Sequence, residues 1–182
     1  MTRMDLLKTL DEWDKKGVWV FKMRDFYLLF SKENPQIIKA ALARHEKSGL
    51  IERICKGVYA NPRALSKERV NDVLAYVSNY IRDKGLSYLS LETVLSEKNV
   101  ISQIPFRYTF ISKLQSAEFN TPYGTIEYTK SKRDARTFLK NCYFDKERDI
   151  WVANKNQAIA DAYAFNRAVD LIEERGVIWW IF

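Results

Sequence analysis

The chain has 182 residues, 47% of them hydrophobic and 29% charged, and its 30 Lys/Arg outweigh 23 Asp/Glu to give a formal charge of +7. That apolar content is enough for a packed core and argues against a disordered chain, and no run approaches the roughly 20 apolar residues of a membrane-spanning helix. A lone histidine, His45, excludes multi-histidine metal sites, and Cys55 and Cys142 lie too far apart for a zinc ribbon.

The first helix is predicted over Arg3 to Lys16, with Met4, Leu7, Leu10 and Trp13 in a 3-4 stripe and Gly17 as its stop. The opening MTRMDLLKTLDEWDKK carries acids and lacks the apolar core of a secretory leader, so a soluble cytoplasmic protein is expected. Val18 to Phe21 is a short β-prone run. A second helix, Met23 to Ser31, places Phe26, Leu29 and Phe30 at i, i+3 and i+4. Asn34 and Pro35 are a good N-cap and first-turn residue for a third helix, and Gly49 stops it. Its apolar stripe is Ile38, Ala41, Leu42 and His45. Leu50 to Ile54 and Val58 to Ala60 read as two strands around a Lys56-Gly57 turn.

Beyond Pro62, the polar residues 63–67 read as a linker. A long amphipathic helix is predicted over Lys67 to Lys84, and another over Ser87 to Asn99 with Ser90 as N-cap. From Phe106 to Thr129 the period changes toward two, with a turn over 120–124, predicting a small antiparallel sheet. Asp149 to Ala153 reads as a short strand or a helix lead-in, Asn154 caps the helix that follows, a last helix runs over 166–175, and VIWWIF closes the chain as a core strand or, in a second reading, as an aromatic surface that docks a partner.

Helix, turn, helix, then a two-stranded hairpin with a basic turn is the order of a winged helix-turn-helix. On its third helix Gln36, Lys39, Ala40, Ala43 and Lys47 share a face away from the apolar stripe. Gln36 suits adenine and Lys39 suits guanine acceptors, while the two alanines let the helix approach a groove floor. Arg44 flanks that face and reaches toward phosphate. In the hairpin Arg53 and Lys56 supply cations, and Lys22 and Arg24 do so at the start of the second helix. Residues 1–65 hold 13 Lys/Arg against 8 Asp/Glu, whereas 66–182 hold 17 against 15, so the positive excess sits with this pattern. A basic balance favours a nucleic-acid partner.

Four segments in order, GLIERICKGVYANP, LSYLSLETVLSEKNVI, NTPYGTIEY and IWVANKNQAIAD, resemble the AbiEi-type antitoxins of bacterial abortive-infection operons. The resemblance spans nearly the whole chain. It implies an N-terminal winged helix that binds operator DNA and represses its own operon, and a C-terminal α/β domain that counters a nucleotidyltransferase-like toxin.

The expected fold is therefore α+β: a winged helix-turn-helix over 1–65, then a mixed α/β domain over 66–182 with a small, mainly antiparallel sheet. Double-stranded DNA is the expected partner, with a nucleotidyltransferase-like toxin as a second; no cofactor, metal, membrane contact or catalysis is expected. Oligomeric state is left open. One alternative is a protein-interaction module whose winged helix does not bind DNA. Another is a metal-dependent nuclease using Glu127 and Lys130, which on a regular strand would point to opposite faces. Glu92, Glu97 and Asp161 read as ordinary helix-face acids unless the fold brings them together.

Overall fold

Thr2 and Asp5 open the first helix with a reciprocal cap: the Asp5 N–H donates to Thr2 Oγ1 at 3.2 Å and the Thr2 N–H to Asp5 Oδ2 at 3.0 Å. This helix is α1, Arg3–Lys15. The computed structural model describes residues 1–173. The chain is mixed α+β, and among the described residues it forms seven α-helices and two sheets. It divides into two compact units, Met1–Ile81 and a second that begins at Arg82. The sequence pattern alone places the boundary at residue 65.

In the first unit β1 (Val20–Lys22), α2 (Met23–Leu29), α3 (Pro35–Lys47), β2 (Glu52–Cys55) and β3 (Val58–Ala60) follow α1. The three strands form an antiparallel sheet in the order β1-β3-β2, with Phe21 opposite Tyr59 and a register shift between Arg53 and Cys55. Strands this short do not stand alone in water. They hold because Leu6, Leu10, Phe21, Phe26, Ile38, Leu42, Leu50, Ile51 and Tyr59 share one buried core under the helices. Each such aliphatic or aromatic side chain contributes about 1.5–3 kcal/mol on burial.

The long helix expected from Lys67 to Lys84 is absent. A short 3-10 helix, Leu65–Arg69, comes first, and α4, Val73–Ile81, follows. Asp72 is the reason: its Oδ1 accepts the Ala75 N–H at 3.0 Å, so the side chain caps a new helix instead of riding inside an old one. The 3-10 turn is pinned by Asp14, whose carboxylate accepts the Leu65 and Ser66 N–H groups at 2.9 and 3.0 Å. Residues 63–67 are thus tied to α1 and are not a free linker.

The second unit is built from β4 (Ser87–Leu89), α5 (Leu91–Glu97), β5 (Arg107–Ser112), β6 (Ala117–Thr121), β7 (Gly124–Lys130), β8 (Cys142–Asp145), β9 (Ile150–Ala153), α6 (Lys155–Phe165) and α7 (Val169–Glu173). Its six strands run in the order β6-β7-β5-β4-β9-β8. The sheet is mixed and larger than expected: β5/β7 and β4/β9 are parallel, while β4/β5, β6/β7 and β8/β9 are antiparallel. Ser87 to Leu89, read as helical, is instead a strand between β5 and β9, because pairing on both sides outweighs its local pattern. Leu91, at φ +54°, makes the turn from β4 into α5. Asn154 caps α6 as expected, accepting the Gln157 N–H at 2.8 Å. The closing VIWWIF and the helix stop expected at Gly176 lie outside the described residues. No helix among the described residues is long and apolar enough to cross a membrane.

Candidate nucleic-acid interface

The start of α3 is fixed by its own sequence. Asn34 Oδ1 accepts the Gln36 N–H at 2.8 Å, and Pro35 occupies the first turn. Ile38, Ala41 and Leu42 go into the core. The opposite face leaves Gln36, Lys39, Ala40, Ala43, Arg44 and Lys47 exposed. Two rows result. Gln36, Ala40, Ala43 and Lys47 stand at i, i+4, i+7 and i+11, and Ile37, Ala40 and Arg44 at i, i+3 and i+7.

The hairpin turn and the start of α2 form a second cationic neighbourhood. Lys22 lies opposite Val58, and the Met23 N–H donates to the Gly57 carbonyl at 2.8 Å. Lys22 and Arg24 are thereby brought beside the turn that carries Lys56. Gly57 sits at φ +80°, the left-handed conformation that a tight turn needs and a bulkier residue resists. Arg24 and Lys56 are exposed, and Lys22 is half-buried with its N–H held by Asp25 Oδ2 at 2.7 Å. Arg53 is exposed beside the register shift, its Nε directed at the Cys55 carbonyl at 3.4 Å. Burial pushes the Tyr59 hydroxyl above its usual range, with Arg53 opposing it and Glu46 and Tyr27 adding to it.

His45 is half-buried, with Nε2 enclosed and without a hydrogen-bond partner. Burial and the Arg44 charge hold its pKa below the usual histidine range. It serves packing between the core stripe and the exposed face.

The exposed face also holds a residue outside the expected set. Ile37 is 55% exposed on the first turn of α3, at the edge of the core stripe four residues before buried Ala41. Its i, i+4 spacing from Ala41 places it with the stripe, so the sequence pattern carries no signal that separates it from the core.

The acids read as ordinary helix-face residues are brought into two networks in the second unit. Asp161 is wholly buried. Its Oδ2 accepts from Ser90 Oγ at 2.7 Å and from Tyr88 Oη at 3.0 Å; its Oδ1 accepts from Gln157 Nε2 at 2.7 Å and from Arg133 Nη2 at 2.8 Å. Arg133 Nη1 also donates to Tyr88 Oη at 2.7 Å. Burial, then the Asp161 charge, pushes the Tyr88 hydroxyl far up and the Cys142 thiol up to about 12. Both cysteines are free and half-buried, and at neutral pH Cys142 is a protonated thiol rather than a nucleophile.

In the other network Arg167 bridges Glu92 and Glu127, each contact at 2.7 Å, and Arg107 Nη1 contacts Glu127 at 3.0 Å and Glu118 at 3.1 Å. Burial would raise the Glu127 carboxyl, but Arg167 and Arg107 together outweigh it and hold the pKa down. Lys130, paired with Glu127 in the nuclease reading, instead reaches Gln115 Oε1 at 3.4 Å. Glu92, Pro105, Phe106, Arg107, Glu127 and Arg167 line a recess of about 310 Å³. No cluster of His, Cys, Asp or Glu among the described residues is arranged to hold a metal ion.

No family model matches the chain, and no curated protein matches it.

Proposed function

We propose that the protein is a sequence-specific DNA-binding repressor, the antitoxin of a toxin–antitoxin operon, whose first unit is a winged helix-turn-helix. The observation that carries the reading is the exposed face of α3, where Gln36, Lys39, Ala40, Ala43, Arg44 and Lys47 stand clear of the core. The helix-hairpin order and the cations at the start of α2 and at the hairpin turn support it. In this reading α3 enters the major groove and the hairpin cations hold the backbone. Lys39→Ala and Arg53→Ala are expected to weaken binding in a gel shift by roughly tenfold each, without unfolding the chain. Losing Arg53 removes a phosphate contact, so the weakening should be alike on all sequences and should lower the salt slope by about one. Unchanged affinity in both variants rejects this surface.

A second activity, countering a nucleotidyltransferase-like toxin, is implied by the family resemblance and supported by a surface of the second unit. Ile104 is 85% and Phe106 101% exposed; Phe106 lines the recess named above, and Ile104 immediately precedes Pro105, which lines it too. Apolar side chains held out in water at a recess mark interaction surfaces. Within the recess Glu92 Oε2 is buried without a hydrogen-bond partner. That carboxylate is held by Arg167 and closed to a partner, so the docking contact falls on the exposed Phe106, where an apolar side chain of the toxin would pack. Phe106→Asp and Ile104→Asp are each expected to cut co-purification of a tagged toxin from the same operon at least about tenfold, with DNA binding intact. Equal capture by both variants removes this surface from consideration.

A further inference from the structure

We propose that Ile37 reads a thymine in the operator through the thymine C5-methyl group; this rests on the DNA-binding reading above. Ile37 is 55% exposed, whereas its neighbour Ile38 is 1% exposed and takes the core position of that turn. That exposure excludes a core role for Ile37, which borders buried Ala41 on one side and the exposed row of Ala40 and Arg44 on the other. It stands on the first turn of α3, and the first turns of a recognition helix are the ones that meet base edges.

The neighbours make room for that contact. Ala40, one turn on in the same row, is exposed and carries no bulk, and Arg44 follows it at i+7. Arg44 at the far end of the row can reach phosphate while Ile37 at the near end meets a base. A β-branched side chain on a helix is held to one χ1 rotamer, so an ordered contact costs little conformational entropy. In the major groove the only apolar feature that distinguishes one base pair from another is the thymine methyl. Gln36, exposed beside Ile37, suits adenine, so the two residues together favour an A·T-containing step.

The test starts from duplexes selected out of a random library with the full chain. Each thymine of the selected site is then replaced by deoxyuridine, which removes only the methyl group, and affinity is measured for the native chain and for Ile37→Ala and Ile37→Val. The native chain is expected to lose roughly fourfold at one thymine, the worth of one buried methyl. Ile37→Val should keep that penalty and Ile37→Ala should lose it, with unchanged thermal stability. A native chain indifferent to every deoxyuridine overturns the assignment, as does a penalty that persists in Ile37→Ala. Selection of no duplex at all overturns the DNA-binding reading itself, a separate outcome.

Discussion

Asp161→Ala is expected to destabilise the second unit by about 3–5 kcal/mol, the cost of breaking a buried ion pair from one side. Four donors converge on this one carboxylate, from β4, the segment just after it, α6 and the loop after β7. Without it, Ser90 Oγ and Gln157 Nε2 lose their acceptor in a place that water does not reach, and each such group costs about 1–3 kcal/mol. Arg133 is less punished, because its side chain is 27% exposed and water can replace part of the contact. Asp161→Asn keeps the volume but turns an N–H group toward existing donors, so it should recover little. Asp161→Leu with Arg133→Met removes both charges together and should cost less than Asp161→Ala, since a paired apolar replacement leaves no orphaned charge. Denaturant unfolding of the full chain, with hydrogen exchange read at β4 and α6, measures this. If Asp161→Ala unfolds at the native midpoint, the carboxylate is not what holds these elements together.

The same network shows where the sequence stops being informative. Gln157 and Asp161, at i and i+4 on α6, are a pair that spacing alone can propose. Tyr88, Ser90 and Arg133 are not, because they converge only through the sheet order, and that order depends on which strand edges are left to pair. Segment 87–89 misleads for a related reason. Its leucine and tyrosine fit a helical pattern continuing into α5, but two flanking strands satisfy its backbone groups better. The strand Cys142–Asp145 has no local signal strong enough to announce it, and it forms because β9 offers an edge. The first unit is the contrast. Asn34-Pro35, Gly49 and Lys56-Gly57 are chemical stops and starts, each fixed by backbone rules within a few residues, so α3 and the hairpin are readable without tertiary context. Asp72 caps α4 by the same chemistry as Asn34, but it sits inside an apolar pattern that runs on across it from Val70 to Val73, and there the periodicity misleads. Ile37 stands four residues before Ala41, in the spacing of the core stripe, and only its exposure in the folded chain separates it from the core.

Ala40→Glu is expected to lower DNA affinity by more than about a hundredfold, the largest effect of any single change on the α3 face. Ala40 belongs to both exposed rows of the helix, so a side chain there stands where the groove floor would meet the protein. Like-charge juxtaposition costs several kcal/mol, and each 1.4 kcal/mol is a factor of ten. Glutamate is nearly as good a helix former as alanine, so the fold should be kept, and circular dichroism would check it. Ala40→Gln has the same length without the charge; a loss well below that of Ala40→Glu would assign the effect to electrostatics rather than bulk. Ala43→Lys makes the opposite prediction. It adds a cation on the same face, and if that cation meets a phosphate, the slope of log affinity against log salt should steepen by about one. Fluorescence anisotropy on one labelled duplex across a salt series reads all three variants. Ala40→Glu binding as tightly as the native chain would mean that this face of α3 does not meet DNA, and the repressor reading would fall with it.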